Sequence, residues 1–161
     1  FWNTKNAPTL KTVDQLMEMY YRSVGHGAVL LLNHTPDTTG LIPESDVRRG
    51  AEFAAEVKRR FGTSFAETRG QGETVELSLA RPTTIDHVIT MEDIAQGERV
   101  REYVVEGWDG HQWKELCQGT AIGHKKIDRI ESTEASRVRL RVTASAATPV
   151  IRKLAVYRTA N

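Results

Sequence analysis

Two periodicities divide the sequence, and the change from one to the other falls at about Gly62. Val13, Leu16, Met17, Tyr20 and Val24 recur at helical spacing. Thr12 and Gln15 make a capping box ahead of that run and Gly25 stands where the helix would end, so a helix is predicted over residues 12–24. Ala28-Val29-Leu30-Leu31-Leu32 comes next, apolar on both faces, which suits a strand covered on both sides as in parallel sheets. A helical reading of so short a run is the weaker alternative. Asn33 to Gly40 has turn chemistry throughout. Pro43, Glu44 and Asp46 then supply the fixed φ and negative charge favoured where a helix starts. Val47, Ala51, Ala54, Val57 and Phe61 give this second helix its apolar face, and Lys58, Arg59 and Arg60 complement its negative end before Gly62.

Beyond Gly62 the period is two. Val75, Leu77 and Leu79 alternate with polar neighbours, as do Val138, Leu140 and Val142, while Val150, Leu154 and Val156 mark a last strand. Asp109-Gly110 between Tyr103–Val105 and Trp113–Cys117 reads as a hairpin turn, with further strands expected at 85–91 and 125–130. Short strands at close spacing without a helical pattern point to an antiparallel β-sandwich of about 90 residues. Residues 1–62 are different. A single strand buried on both faces needs neighbours for its backbone N–H and C=O groups, so this stretch reads as the last, helix-strand-helix part of an α/β domain.

Composition narrows the function without naming it. The chain has 161 residues, 39% hydrophobic and 27% charged, an ordinary globular balance. Lys and Arg number 22 against 21 for Asp and Glu, so a net charge of +1 gives no long-range pull toward nucleic acid or an anionic membrane. The apolar run at residues 28–32 is far short of the roughly 20 residues that span a bilayer. One cysteine, Cys117, excludes an intrachain disulfide framework and makes no zinc site by itself. The chain opens on Phe1-Trp2 without an initiator methionine or a signal stretch, and is read as a piece of a longer polypeptide.

The stretch from Ser23 to Pro43, with Ser23-Val24, Gly25, Leu31-Leu32-Asn33, Pro36 and Gly40-Leu41-Ile42-Pro43, resembles the closing strand and loop of glycoside hydrolase family 29, the α-L-fucosidases. Trp2 and the helix from Thr12 fit the order of elements in that family. Residues 73–157 resemble the discoidin-like, coagulation factor V/VIII type C sandwich found C-terminal to the barrel in one branch of these enzymes. Thr84-Ile85-Asp86-His87-Val88, Met91-Glu92-Asp93-Ile94, Gly97 to Tyr103 and Gly110-His111-Gln112-Trp113 carry that likeness. The resemblance implies residues 1–62 as the C-terminal remnant of a (β/α)8-like catalytic barrel and 63–161 as a galactose-binding-domain-like jelly roll.

The activity implied by the resemblance is that of a retaining glycosidase acting on terminal α-linked L-fucose of glycans, with an Asp nucleophile and a Glu acid/base about 5 to 5.5 Å apart. The family's motifs for that pair have no match in residues 1–161, so neither catalytic role is assigned to any residue and the chain alone is expected to be inactive. No cofactor or metal is implied, the partners being a fucosylated glycan and the rest of the barrel. Bacterial members with this sandwich are often exported, which makes the periplasm or the exterior the expected location. A non-catalytic carbohydrate-binding or interdomain module is the alternative.

Trp2 is expected to face the sugar, as an indole can cover the apolar face of fucose. Asn33 and His34 sit at the strand's C-terminal end, the catalytic side of a barrel, where they would orient hydroxyls or brace the residues that do. Asp37 reads better as a turn residue than as a catalytic carboxylate. Glu92, Asp93 and Arg99 form a polar loop suited to sugar hydroxyls or a neighbouring domain, and Trp108 at a hairpin tip could stack on a sugar ring. Trp113 is expected in the core. Arg137, Arg139 and Arg141 read as a solvated face paired by nearby glutamates. His87, His111 and His124 have no metal-site spacing and read as surface or hydrogen-bonded side chains.

Overall fold

A computed structural model of the chain describes residues 9–159. Helices α1 (Val13–Ser23) and α2 (Glu44–Phe61) precede strands β1 (Ala66–Gln71), β2 (Thr74–Glu92), β3 (Val100–Trp108), β4 (Trp113–Gly119), β5 (Lys126–Ser145) and β6 (Val150–Tyr157). The capping box forms as the sequence predicts: Thr12 Oγ1 accepts the Gln15 N–H at 3.2 Å and Gln15 Oε1 accepts the Thr12 N–H at 2.9 Å. α2 has no side-chain cap at Pro43. Glu44 and Asp46 in its first turn and Lys58, Arg59 and Arg60 in its last complement the helix dipole instead.

The strands make one antiparallel sheet in the order β1-β6-β2-β5-β3-β4. Alternation in the sequence suggests separate strands on either side of residue 80 and of residue 133, yet each pair is continuous: β2 runs for 19 residues and β5 for 20. Their mutual pairing breaks between Ser78 and Thr83, where Pro82 has no N–H to give, and again between Ile85 and His87. These breaks let the sheet fold over one core, as in a β-sandwich. Val75 and Leu77 from the first half of β2 and Val88 from the second meet Tyr103, Val105, Leu140 and Val156 there. Leu77 lies opposite Val138 and Val75 opposite Leu140, so the predicted strand faces are those that bury.

A second apolar cluster lies on the other face of the β2-β5-β6 region. Ile89, Ile127, Ala155 and Tyr157 pack there with Met17 and Tyr21 of α1 and with Phe53, Val57 and Phe61 of α2. Successive side chains on a strand point to opposite faces, so Val88 enters the first cluster and Ile89 the second. This explains the unbroken burial from Ile85 to Thr90. Each large side chain buried between the helices and the sheet contributes roughly 1.5–3 kcal/mol, which makes the helices a covering layer of the sheet.

The strand predicted at residues 28–32 is not present. This stretch joins no ladder among the described residues, and Val29 and Leu31 are 87% and 80% exposed. The physical reason is the one that makes a strand a collective object: without a neighbour to pair with, apolar content alone does not hold extended backbone in a sheet. Among the described residues, the only bridge near it joins His26 to Lys126. Leu41, Ile42 and Val47 prolong the exposed apolar surface toward α2.

Candidate functional site

The loop from residue 28 to Pro43 is held at its two ends. At the first, the Ala28 N–H donates to the Ser23 carbonyl at 2.9 Å, and at the second the Asp37 N–H donates to the Leu41 carbonyl at 2.8 Å. Asp37 Oδ1 accepts the Thr39 N–H at 2.7 Å and the Thr39 hydroxyl at 2.6 Å. The Thr39 hydroxyl bond first, then the backbone bonds, hold the Asp37 carboxyl below its ordinary value. Asp37 therefore shapes a turn closed by Gly40 at φ +83°. His34 leans on the start of α2, with Nδ1 4.0 Å from Asp46 Oδ1 and its ring against Gly50. Asn33 and His34 are both exposed. Trp2 lies outside the described residues.

The polar loop after β2 is built differently from the sequence expectation. Glu92 is 1% exposed. Its Oε1 accepts the N–H groups of Arg99 and Val100 at 2.7 and 3.0 Å, and its Oε2 accepts the Gly123 N–H at 2.9 Å. Its carboxylate is thus occupied in joining two loops and faces no solvent. Asp93 accepts from Gln96 Nε2 at 2.9 Å, and Arg99 donates to the carbonyls of Gln96 and Thr148.

Trp108 and Trp113 are cross-strand partners at the far end of β3, edge to face at 5.5 Å between centroids. Trp113 does not enter the core. It stands half-buried on the outer face under the Arg137 and Arg139 guanidinium groups, which lie 5.0 and 4.2 Å from its ring. Arg137 also covers Trp108 at 4.7 Å. The charge of Arg139 and Arg141 is met by Glu106 Oε2 at 2.7 and 3.3 Å. Those bonds, Arg139 foremost, lower the Glu106 carboxyl, so Arg139 and Arg141 of the stripe are paired by a glutamate while Arg137 rests on the indoles. Arg99 precedes β3 and Trp108 ends it, so the two sit about 25–30 Å apart along a nine-residue strand. The Glu92 loop and Trp108 do not form one site.

A cleft of about 200 Å³ opens between the end of α1 and the loop before β5, lined in part by His26, Glu98, Thr120, His124 and Lys126. Its lining offers no Phe, Tyr or Trp to stack on a sugar ring, and the Lys126 ammonium is turned toward Asp128 at 3.8 Å. The buried chemistry lies elsewhere. Tyr103 donates its hydroxyl to Asp128 at 2.8 Å, and burial raises the pKa of Tyr103, Asp128 and the neighbouring Cys117 thiol alike. Cys117 is consequently protonated and inert. At the junction of helices and sheet, Tyr21, His87 and Asp86 form a hydrogen-bonded chain in the order of a proton relay. All three are buried, so no substrate reaches them. Among the described residues no group of three or more His, Cys, Asp or Glu could hold a metal ion.

No family model matches the chain. It is similar over nearly its whole length to parts of known α-L-fucosidases. Alpha-L-fucosidase 1 of Arabidopsis thaliana is 25% identical over 194 residues, covering 98% of this chain and 38% of that protein. A structure from Bacteroides thetaiotaomicron VPI-5482, provisionally identified as an α-L-fucosidase, superposes with a TM-score of 0.95 at 37% identity, covering 98% of this chain and 36% of that one. A Ruminococcus gnavus glycoside hydrolase family 29 fucosidase solved in complex with fucose gives a TM-score of 0.85 at 26% identity, covering all of this chain and 39% of its own. The chain thus spans 37% to 38% of the length of the curated relatives it matches.

Proposed function

We propose that this chain is the C-terminal portion of an α-L-fucosidase, a retaining glycoside hydrolase that releases terminal α-linked L-fucose from glycans. Residues 1–62 are the end of its (β/α)8-like catalytic barrel, and residues 63–161 are a discoidin-like sandwich of the galactose-binding, jelly-roll type. The observation that carries the reading is likeness to fucosidases across 98% of this chain at a TM-score of 0.95, while only 36% of that relative is matched. The bare apolar stretch at Val29 and Leu31 supports it, since barrel neighbours would supply the pairing this segment lacks. Asn33 and His34, just beyond that stretch, would then stand at the rim where such barrels bind substrate.

The chemistry of the parent enzyme falls to an Asp/Glu pair on earlier barrel strands, attacking the anomeric carbon and protonating the leaving oxygen. The present residues close the barrel, line part of the pocket and brace it from behind. A periplasmic or secreted location goes with this reading. The alternative of an independent sugar-binding module is less favoured: Trp108 is covered by Arg137, Glu92 is buried, and their loops lie at opposite ends of β3. The test is hydrolysis of an aryl α-L-fucoside. The purified 161-residue chain is expected to show no turnover, and a polypeptide extended upstream through the barrel to show it. Turnover by the chain alone, or inactivity of the extended form toward every fucoside, would overturn the proposal.

A further inference from the structure

One of the links between the helical layer and the sheet is a chain of buried hydrogen bonds. Arg60 Nη1 of α2 donates to the Tyr21 hydroxyl of α1 at 3.2 Å. With Arg60 as donor there, the Tyr21 O–H can donate to His87 Nε2 on β2 at 2.9 Å. The opposite nitrogen, Nδ1–H, then donates to Asp86 Oδ1 at 2.7 Å. Asp86 in turn accepts the Thr159 N–H on both oxygens, at 2.8 and 3.0 Å, and Arg59 of α2 donates to the Thr159 carbonyl at 3.0 Å. With the Tyr21 O–H toward Nε2 and the Asp86 carboxylate toward Nδ1, the neutral Nδ1–H tautomer satisfies every group in the chain. His87, Tyr21, Asp86 and Thr159 are all buried, and the Phe61 and Tyr21 rings enclose the imidazole at 5.7 and 5.5 Å.

We infer that His87 is a proton-operated latch between the helical layer and the sheet, closed when its imidazole is neutral and loosened when Nε2 takes a proton. A second proton turns Nε2 from acceptor to donor. It then confronts a Tyr21 hydroxyl that already accepts from Arg60, and the tyrosine proton loses its acceptor. The added charge meets cations on two sides: Arg60 from α2, and Arg129 from β5, which is the cross-strand partner of His87 and lies 4.8 Å over the Tyr21 ring. Among the described residues, Asp86 is the carboxylate in contact, while Glu18 of α1 is drawn to Arg129 and Arg22, Glu56 of α2 to Arg59 and Arg60, and Tyr157 of β6 is the remaining titratable neighbour. Burial first of all, with Arg60 and Arg129 adding to it against Asp86, lowers the imidazole below its ordinary value of 6.5. The unfolded chain therefore takes up the proton first. The contribution of the neutral latch is complete above that ordinary value and declines as pH falls below it.

Hydrogen exchange of the 161-residue chain at about pH 7.5 and about pH 5, corrected for the intrinsic rate, tests this on either side of the imidazole range. Amides of α1 and α2 are expected to lose about tenfold in protection at the lower pH, while those around Val88 and Leu140 hold theirs. His87→Gln, which cannot take the proton, is expected to abolish the difference. Equal helix protection at the two pH values, or the same loss in His87→Gln, would overturn the latch. Should that variant not fold, the imidazole signals of His87 in the unsubstituted chain decide: their titration midpoint must coincide with the midpoint of helix loosening, and separate midpoints refute the inference.

Discussion

At Glu92 a carboxylate takes over the role of the ladder where β2 ends, since Arg99 and Val100 at the start of β3 and Gly123 in the loop before β5 donate to it. Glu92→Gln keeps one oxygen for Arg99 and Val100 but sets an NH2 group against the Gly123 N–H. It should lower stability by about 1.5–3 kcal/mol, measured by urea unfolding, because a buried donor is left without an acceptor. An unchanged midpoint with unchanged slope would show that the loops hold without it. Position in the sequence marks Glu92 as polar and next to a strand end, and that much is correct. Whether such a carboxylate turns to solvent or to backbone depends on where residues 99 and 123 are brought, and local alternation carries no information about that. The role of His87 is hidden for the same reason: its partners are 66 positions away in α1 and one position away in β2.

Among the elements, β3 and β4 meet in a register that places Gly119 opposite Tyr103. A Cβ built on Gly119 would lie 2.5 Å from the Tyr103 hydroxyl oxygen and 2.6 Å from its ring, and that ring is fixed by the bond to Asp128. Gly119→Ala should therefore cost about 1–3 kcal/mol by overpacking, read as a lower thermal midpoint, whereas Gly110→Ala would act through its φ of +102° in the hairpin. A Gly119→Ala protein as stable as the parent would mean that the strand pair shifts freely. The cap of α1, both helix faces and the inward residues of β2 and β5 can be read from period and end chemistry, because these depend on neighbours a few positions away. The fusion of four predicted strands into two cannot, because Arg81-Pro82 looks like a break and is only a bend. The outer placement of Trp113 is equally illegible, since aromatic character says nothing about which side of the pleat a strand presents.

For the molecule as a whole, the helices and the sheet share an apolar interface, so residues 63–161 cut free would uncover Ile89, Ile127, Ala155 and Tyr157. That fragment is expected to melt at a lower temperature than the 161-residue chain. Equal melting would show that the helical layer adds nothing to the sheet. A change of architecture at Gly62 is plain in the sequence, but not that the two parts cover each other, since an amphipathic helix states only that it needs a partner.

The register of β6 bears on the order in which this chain can fold as it is made. Ala155 and Tyr157, which complete the platform under α1 and α2, lie near the end of the chain, whereas the helices emerge well before them. Throughout the production of β1 to β5 the ribosome therefore displays Met17, Tyr21 and Phe61 with no finished surface to receive them. The pairing of β2 with β5 joins positions far apart in sequence and is slow to close, which lengthens that interval. The helices are made before every strand of the sheet, and the face they turn to it stays incompletely covered until β6 arrives.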